Sequence, residues 1–165
     1  MKGQIHITKA DQIRLVSIME GMKTADERLR RWLDLLEHEL DRANVVESHA
    51  IPRGTVTLHS RVRLLDLDSR ESVVYKLVPP SEANSGAGNL SILAPVGIAL
   101  LGYGEGDHFE CETPGGTRRF LVESVLFQPE ADLLRRRTPV GSQDGAEKPA
   151  GDRARNEVEA QPLLT

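Results

Sequence analysis

Leu90-Ser91-Ile92-Leu93-Ala94-Pro95-Val96-Gly97-Ile98-Ala99-Leu100-Leu101-Gly102 is the most informative stretch of this chain. Leu90 to Leu93 reads as a short strand. Pro95 has no backbone N–H and a fixed φ, so it suits the first turn of a helix. That helix is expected to run through Leu101 and to end at Gly102. Gly102-Tyr103-Gly104-Glu105-Gly106 then reads as the turn into the next strand. It ends a helix instead of opening one, and it lacks the lysine of a phosphate-binding loop.

Outward from this block the texture is β. Upstream, Val62 to Leu67 and Val73 to Val78 read as strands, and Pro79-Pro80 stops the second. Ser81 to Asn89 is a polar loop. Downstream, Phe109 to Glu112 alternates inward and outward. Thr113-Pro114-Gly115-Gly116 is a turn in which Pro114 fixes φ and Gly115, at the third position, is expected to supply a positive φ. Phe120, Val122, Val125 and Phe127 mark the returning strand. Its alternation breaks near Glu123-Ser124, which predicts a bulge. The sum over residues 51 to 132 is a small, mostly antiparallel sheet with one short helix, an α+β domain.

Residues 1 to 50 are helical in pattern. Thr8 is a cap for a helix over Lys9 to Met22, with Asp11 in its first turn. Thr24 reads as a second cap, and Glu27, three residues on, completes a capping box. Leu29, Leu33, Leu36, Leu40 and Ala43 then alternate by four and three, the seam of a short coiled coil, widened by Trp32 and Leu35. Two amphipathic helices joined by a tight turn predict an antiparallel hairpin. At about 1.5 Å per residue its reach is roughly 20–28 Å.

Residues 133 to 165 contain Arg135-Arg136-Arg137 and then a Pro-, Gly- and Ala-rich tail without aromatics. Such a composition buries too little apolar surface to order itself, so disorder is expected.

The chain has 165 residues, 39% of them hydrophobic, and a formal net charge of −4. That balance argues against a sequence-independent grip on nucleic acid, which needs a basic face. One cysteine, no apolar run of membrane-spanning length and no signal-like start lead to an expectation of a soluble, reduced, cytoplasmic protein. His6, His38, His49, His59 and His108 show no metal-ligand spacing. Cys111 has no histidine placed as its base, and Ser60, Ser91 and Ser124 lack the context of a nucleophile. No catalytic residue, metal or cofactor is expected.

The quoted block, together with Gly106-Asp107, Thr113-Pro114-Gly115-Gly116, Phe120-Leu121-Val122-Glu123, Val62 to Asp68 and Val73 to Val78, resembles the C-terminal domain of the bacterial Gre transcript-cleavage factors. Ala94-Pro95-Val96-Gly97 in place of their Ser-Pro, and the short helical region in front, resemble most the regulator of nucleoside diphosphate kinase (anti-Gre) type. The resemblance implies an FKBP-like fold behind the hairpin. It implies docking at the rim of the RNA polymerase secondary channel through Ser91, Leu93, Ala94, Pro95 and Val96, with Leu93 where Gre factors carry an acid or amide. It also implies a hairpin tip, here with Glu20, Asp26 and Glu27, pointing inward.

Gre factors use tip acids to help hold a catalytic magnesium. A shorter hairpin that docks without delivering acids would instead compete with them, with an indirect effect on nucleoside diphosphate kinase. A Gre-like cleavage stimulator and a non-catalytic coiled-coil adaptor stay open beside this reading. A prolyl isomerase, suggested by fold alone, needs an aromatic-lined pocket that a chain with 4% aromatics does not announce. The expected partner is RNA polymerase, with weak nucleic-acid contact through Arg135 to Arg137, no membrane, and a monomeric protein.

Overall fold

The computed structural model describes residues 4–22 and 26–137. Strand β1 (His6–Thr8) leads directly into helix α1 (Lys9–Gly21). Thr8 keeps an extended backbone, and its hydroxyl accepts the Asp11 N–H at 3.0 Å, the expected cap. Helix α2 (Glu27–Arg42) starts later than the sequence suggested. Thr24 lies outside the described residues. Asp26 caps the helix instead, its carboxylate accepting the Leu29 N–H at 2.9 Å, and Glu27 is the first helical residue rather than the third. The physical reason is that Asp26 offers a charged acceptor directly at the helix start.

Strand β2 (Asn44–Val46) follows α2 and pairs in parallel with β1, His6 opposite Asn44 and Thr8 opposite Val46. This small sheet ties the two feet of the helical region together. No sequence signal announced it, because three residues are too few to show a period of two.

A second sheet has the order β5-β4-β3-β7-β6. Its strands are β3 (Arg61–Asp66), β4 (Ser72–Val78), β5 (Asn89–Ser91), β6 (His108–Thr113) and β7 (Gly116–Phe127). All neighbours are antiparallel except β4 and β5. Val62 and Leu64 point inward from β3 between exposed Arg61 and Arg63, the alternation of a sheet buried on one face. The bulge lies where the broken alternation put it. Arg63 pairs with Ser124 and Leu64 with Val122, so Glu123 is the extra residue. At the β6–β7 turn the positive φ falls on Gly116 (112°), one position after the expected Gly115. Thr113 and Gly116 close the pair, and the Thr113 hydroxyl donates to the Gly116 carbonyl at 2.7 Å.

Helix α3 (Pro95–Leu100) begins at its proline as expected. Helix α4 (Pro129–Arg137) corrects the expected disorder over 133–137. Leucines and arginines favour helix, and Asp132 at the first turn pairs with Arg136 at 2.8 Å. The remainder of the expected tail, 138–165, lies outside the described residues.

One core joins the two regions. Ile5, Ile7, Leu15, Leu36, Leu58, Leu64, Leu77 and Leu100 are almost fully buried in a single cluster. The α2 seam residues Leu33, Leu36 and Leu40 belong to it, with Leu29 and Ala43 packed at its margin. Tyr103, Phe109 and Phe120 stack in series, with ring centroids 5.6 and 5.4 Å apart.

Candidate partner-binding surface

The β5–α3 junction is shaped by its own backbone. Ser91 ends β5, and its hydroxyl accepts the Leu93 N–H at 3.1 Å. The Ala94 N–H donates to the Ser91 carbonyl at 3.0 Å, and Ile98 N–H to the Ala94 carbonyl at 2.9 Å. Chain reversal within four residues brings α3 hard against the strand end. Gly97 permits it, since a Cβ there would overlap the Ser91 carbonyl oxygen.

This geometry sorts the five loop candidates. Ser91, Ala94, Pro95 and Val96 are half-buried, so each presents some surface. Leu93 is turned into the core at 8% exposure. Its side chain therefore packs into the core instead of reaching outward. An apolar residue next to a buried strand end gains more from burial than from water.

A shallow groove of about 190 Å³ runs beside the loop, between α2, α3 and β6. Pro95, Ile98 and Ala99 form one wall, and Trp32 and Leu35 of α2 the other. Leu35 is 44% exposed. Glu39 and Arg42 pair at 2.6 Å at the groove's α2 side, Glu39 being buried. Nothing in the linear order joined Trp32 and Leu35 to Pro95. The only hint was that they lie off the regular four-three seam.

The tip candidates lie at the end of α1 and the start of α2. Glu20 sits in the last turn of α1, and Asp26 and Glu27 open α2. All three are exposed. Asp26 is engaged as the cap. Among the described residues no three His, Cys, Asp or Glu side chains gather as a metal site.

A buried polar cluster anchors the base of α1. The Asp11 carboxylate accepts the Leu58 N–H at 3.0 Å. Beside it the Thr57 hydroxyl donates to Glu130 of α4 at 2.8 Å, and Ser60 Oγ accepts the Thr57 N–H at 3.0 Å. Burial pushes the Asp11 carboxyl up to about 6. The Leu58 hydrogen bond opposes this, the Glu130 charge adds to it, and Arg14 and His59 pull it down.

At the C-terminal end of β3, Arg118 pairs with Asp66 at 2.8 Å and Arg119 with Asp68 at 2.7 Å. Backbone N–H groups of Ser69 and Asp68, with Arg118, hold Asp66 below the usual carboxylate range.

Comparison with known proteins matches both regions. Residues 51–127 match the family model "Transcription elongation factor, GreA/GreB, C-term", and residues 4–46 match "Rnk N-terminus". The "Regulator of nucleoside diphosphate kinase" of Escherichia coli K12 is 41% identical over 99 residues, 59% of this chain and 73% of that protein. The "Transcription elongation factor GreA" of Desulfotalea psychrophila is 40% identical over 90 residues, but the match spans only 56% of its length. Among solved structures, a prokaryotic transcription elongation factor GreA/GreB from Nitrosomonas europaea superposes with a TM-score of 0.63 at 37% identity. That match covers 75% of this chain and all of the other. A Gre C-terminal domain joined to an Rnk N-terminus places this chain in the Gre superfamily, within the type of the regulator of nucleoside diphosphate kinase.

Proposed function

We propose that this protein is a transcription elongation regulator that binds RNA polymerase at the rim of its secondary channel and competes there with Gre-type cleavage factors. The supporting observation is the length of the hairpin. Helix α1 has 13 residues and α2 has 16. At 1.5 Å per residue they extend roughly 20–24 Å, well short of a Gre-type hairpin. A protein of this shape occupies the entrance without carrying carboxylates to the active centre.

In this reading the β domain, FKBP-like in architecture, is the docking body. Ala94, Pro95 and Val96 form its contact edge, with Ser91 holding the loop. The protein acts as a cytoplasmic monomer and catalyses nothing itself. Any effect on nucleoside diphosphate kinase follows from altered transcription, and nucleic acid is touched only within the polymerase complex, through Arg135 to Arg137. Among the described residues no helix is long and apolar enough to cross a membrane.

The test is binding to polymerase core enzyme with a Gre-type factor as competitor, followed by a transcript-cleavage assay. Mutual exclusion without cleavage is the expected result. Stimulated cleavage would replace the blocking role with a Gre-like one, and absence of binding would remove the reading altogether.

A further inference from the structure

The helical hairpin does not close along its whole length. On one side α1 and α2 face each other across a cleft of about 400 Å³. Val16 and Met19 of α1, with Leu33 and Leu40 of α2, form its floor. Val16 remains 42% exposed. The rim carries Glu20 from α1 and Asp34, Glu37 and Asp41 from α2. Among the described residues Arg30 is the one basic residue of the lining. The α2 wall recurs at three- and four-residue steps from Arg30 to Asp41, which is one helix face about three turns long.

We propose that this cleft seats a single amphipathic helix of another protein, with one apolar stripe flanked by lysine or arginine. Charge complementarity selects this occupant. Asp34, Glu37 and Asp41 along an apolar floor attract a cationic partner and disfavour an acidic one. The length of the wall matches a helix whose anchors recur at three- and four-residue steps. The volume admits a row of side chains and excludes a backbone, so the helix lies across the mouth. Met19, unbranched and polarisable, lets the floor adapt to the shape of the inserted side chains.

This site is on a different face of α2 from Trp32 and Leu35, so it does not depend on docking through Pro95. The polymerase reading and this one can fail separately.

The test uses the full chain and a short, dye-labelled synthetic helix with a leucine stripe between lysines, followed by fluorescence anisotropy. A scrambled peptide of the same composition, without a stripe, is the control. The striped helix should bind in the micromolar range and the scrambled one at least about tenfold more weakly, a difference the apolar floor alone produces. The double variant Asp34→Lys/Glu37→Lys, both side chains exposed, should weaken binding by about tenfold or more while thermal stability is kept. Equal binding of the two peptides, or an unchanged affinity in the variant, overturns the proposal. Sedimentation showing a dimer that the same variant dissolves would assign the cleft to a second copy and also overturn it. Polymerase binding, measured on the unsubstituted chain, reports on the docking reading alone.

Discussion

Thr57 and Glu130, separated by 73 positions in sequence, are joined by a buried 2.8 Å hydrogen bond from hydroxyl to carboxylate. Ser60 Oγ lies 2.9 Å from the same hydroxyl. The Thr57 proton is committed to Glu130, so Ser60 donates to Thr57. Helix α4, which composition alone assigned to a tail, is thus fastened to the loop beneath α1. Gln128 adds to the fastening, its amide donating to the carbonyls of Pro52 and Thr55 at 3.1 Å.

Replacing Thr57 by Val leaves the buried Glu130 carboxylate without its donor. A cost of about 2 kcal/mol is expected, read as a lower denaturation midpoint. Amide hydrogen exchange should rise most over Pro129–Arg137. Uniform protection in the variant would show that α4 is held by other contacts.

Asp11 makes stability depend on pH in an uncommon direction. Burial raises its carboxyl to about 6 in the folded protein, against an ordinary value of 3.8. Between those values the folded state binds more protons than the unfolded one, so stability falls as pH rises through the window. Below about pH 4 this cost is absent, and above about 6 it is complete, on the order of 3 kcal/mol. Asp11→Asn keeps an oxygen to accept the Leu58 N–H and cannot ionise. Urea titrations at pH 4 and 7 should show the variant gaining on the parent at the higher pH. A constant difference between them would mean that Asp11 titrates normally.

Gly97→Ala tests the close approach of α3 to β5. The added methyl overlaps the Ser91 carbonyl, which is backbone and yields only by moving the loop. A loss of about 2 kcal/mol is expected despite the better helix propensity of alanine. If docking uses Ala94 to Val96, polymerase affinity should fall with it. A variant as stable as the parent would show that the junction is more pliable than its hydrogen bonds suggest.

Cys111 should be inert in the native protein. Burial, with the neighbouring Glu112 charge, pushes its thiol up to about 11. At pH 8 a disulfide reagent should label it only after unfolding. Rapid native labelling would show that β6 opens locally.

Leu93 and Trp32 should separate packing from recognition. Leu93→Ala removes a core side chain and should cost about 2–4 kcal/mol. Trp32→Ala, at the half-exposed groove wall beside Pro95, should cost less stability and more polymerase affinity. The reverse ranking in melting and pull-down experiments would move the docking edge elsewhere.

These residues also show what the sequence made legible. Thr8, Pro95 and the interrupted alternation at Glu123 carry local signals, and each was found where its chemistry placed it. The β1–β2 pair was hidden because its partners are three residues long and far apart. Helix α4 was hidden because, among its residues, only Glu130 is buried, so no apolar stripe repeats. The inward direction of Leu93 was not legible because a resemblance gives position and not side-chain direction, which the turn at Ser91 decides. Trp32 and Leu35 meet Pro95 only through tertiary packing.

The contact between His6 and Gly102, N–H to carbonyl at 3.1 Å, has a consequence for biosynthesis. Strand β1 leaves the ribosome about a hundred residues before the glycine that receives it. At ordinary translation speeds Ile5, Ile7 and Leu15 wait roughly five to twenty seconds for core partners as distant as Leu100. During that interval the nascent hairpin keeps apolar surface uncovered, and slower translation between Val46 and Gly102 would prolong its exposure.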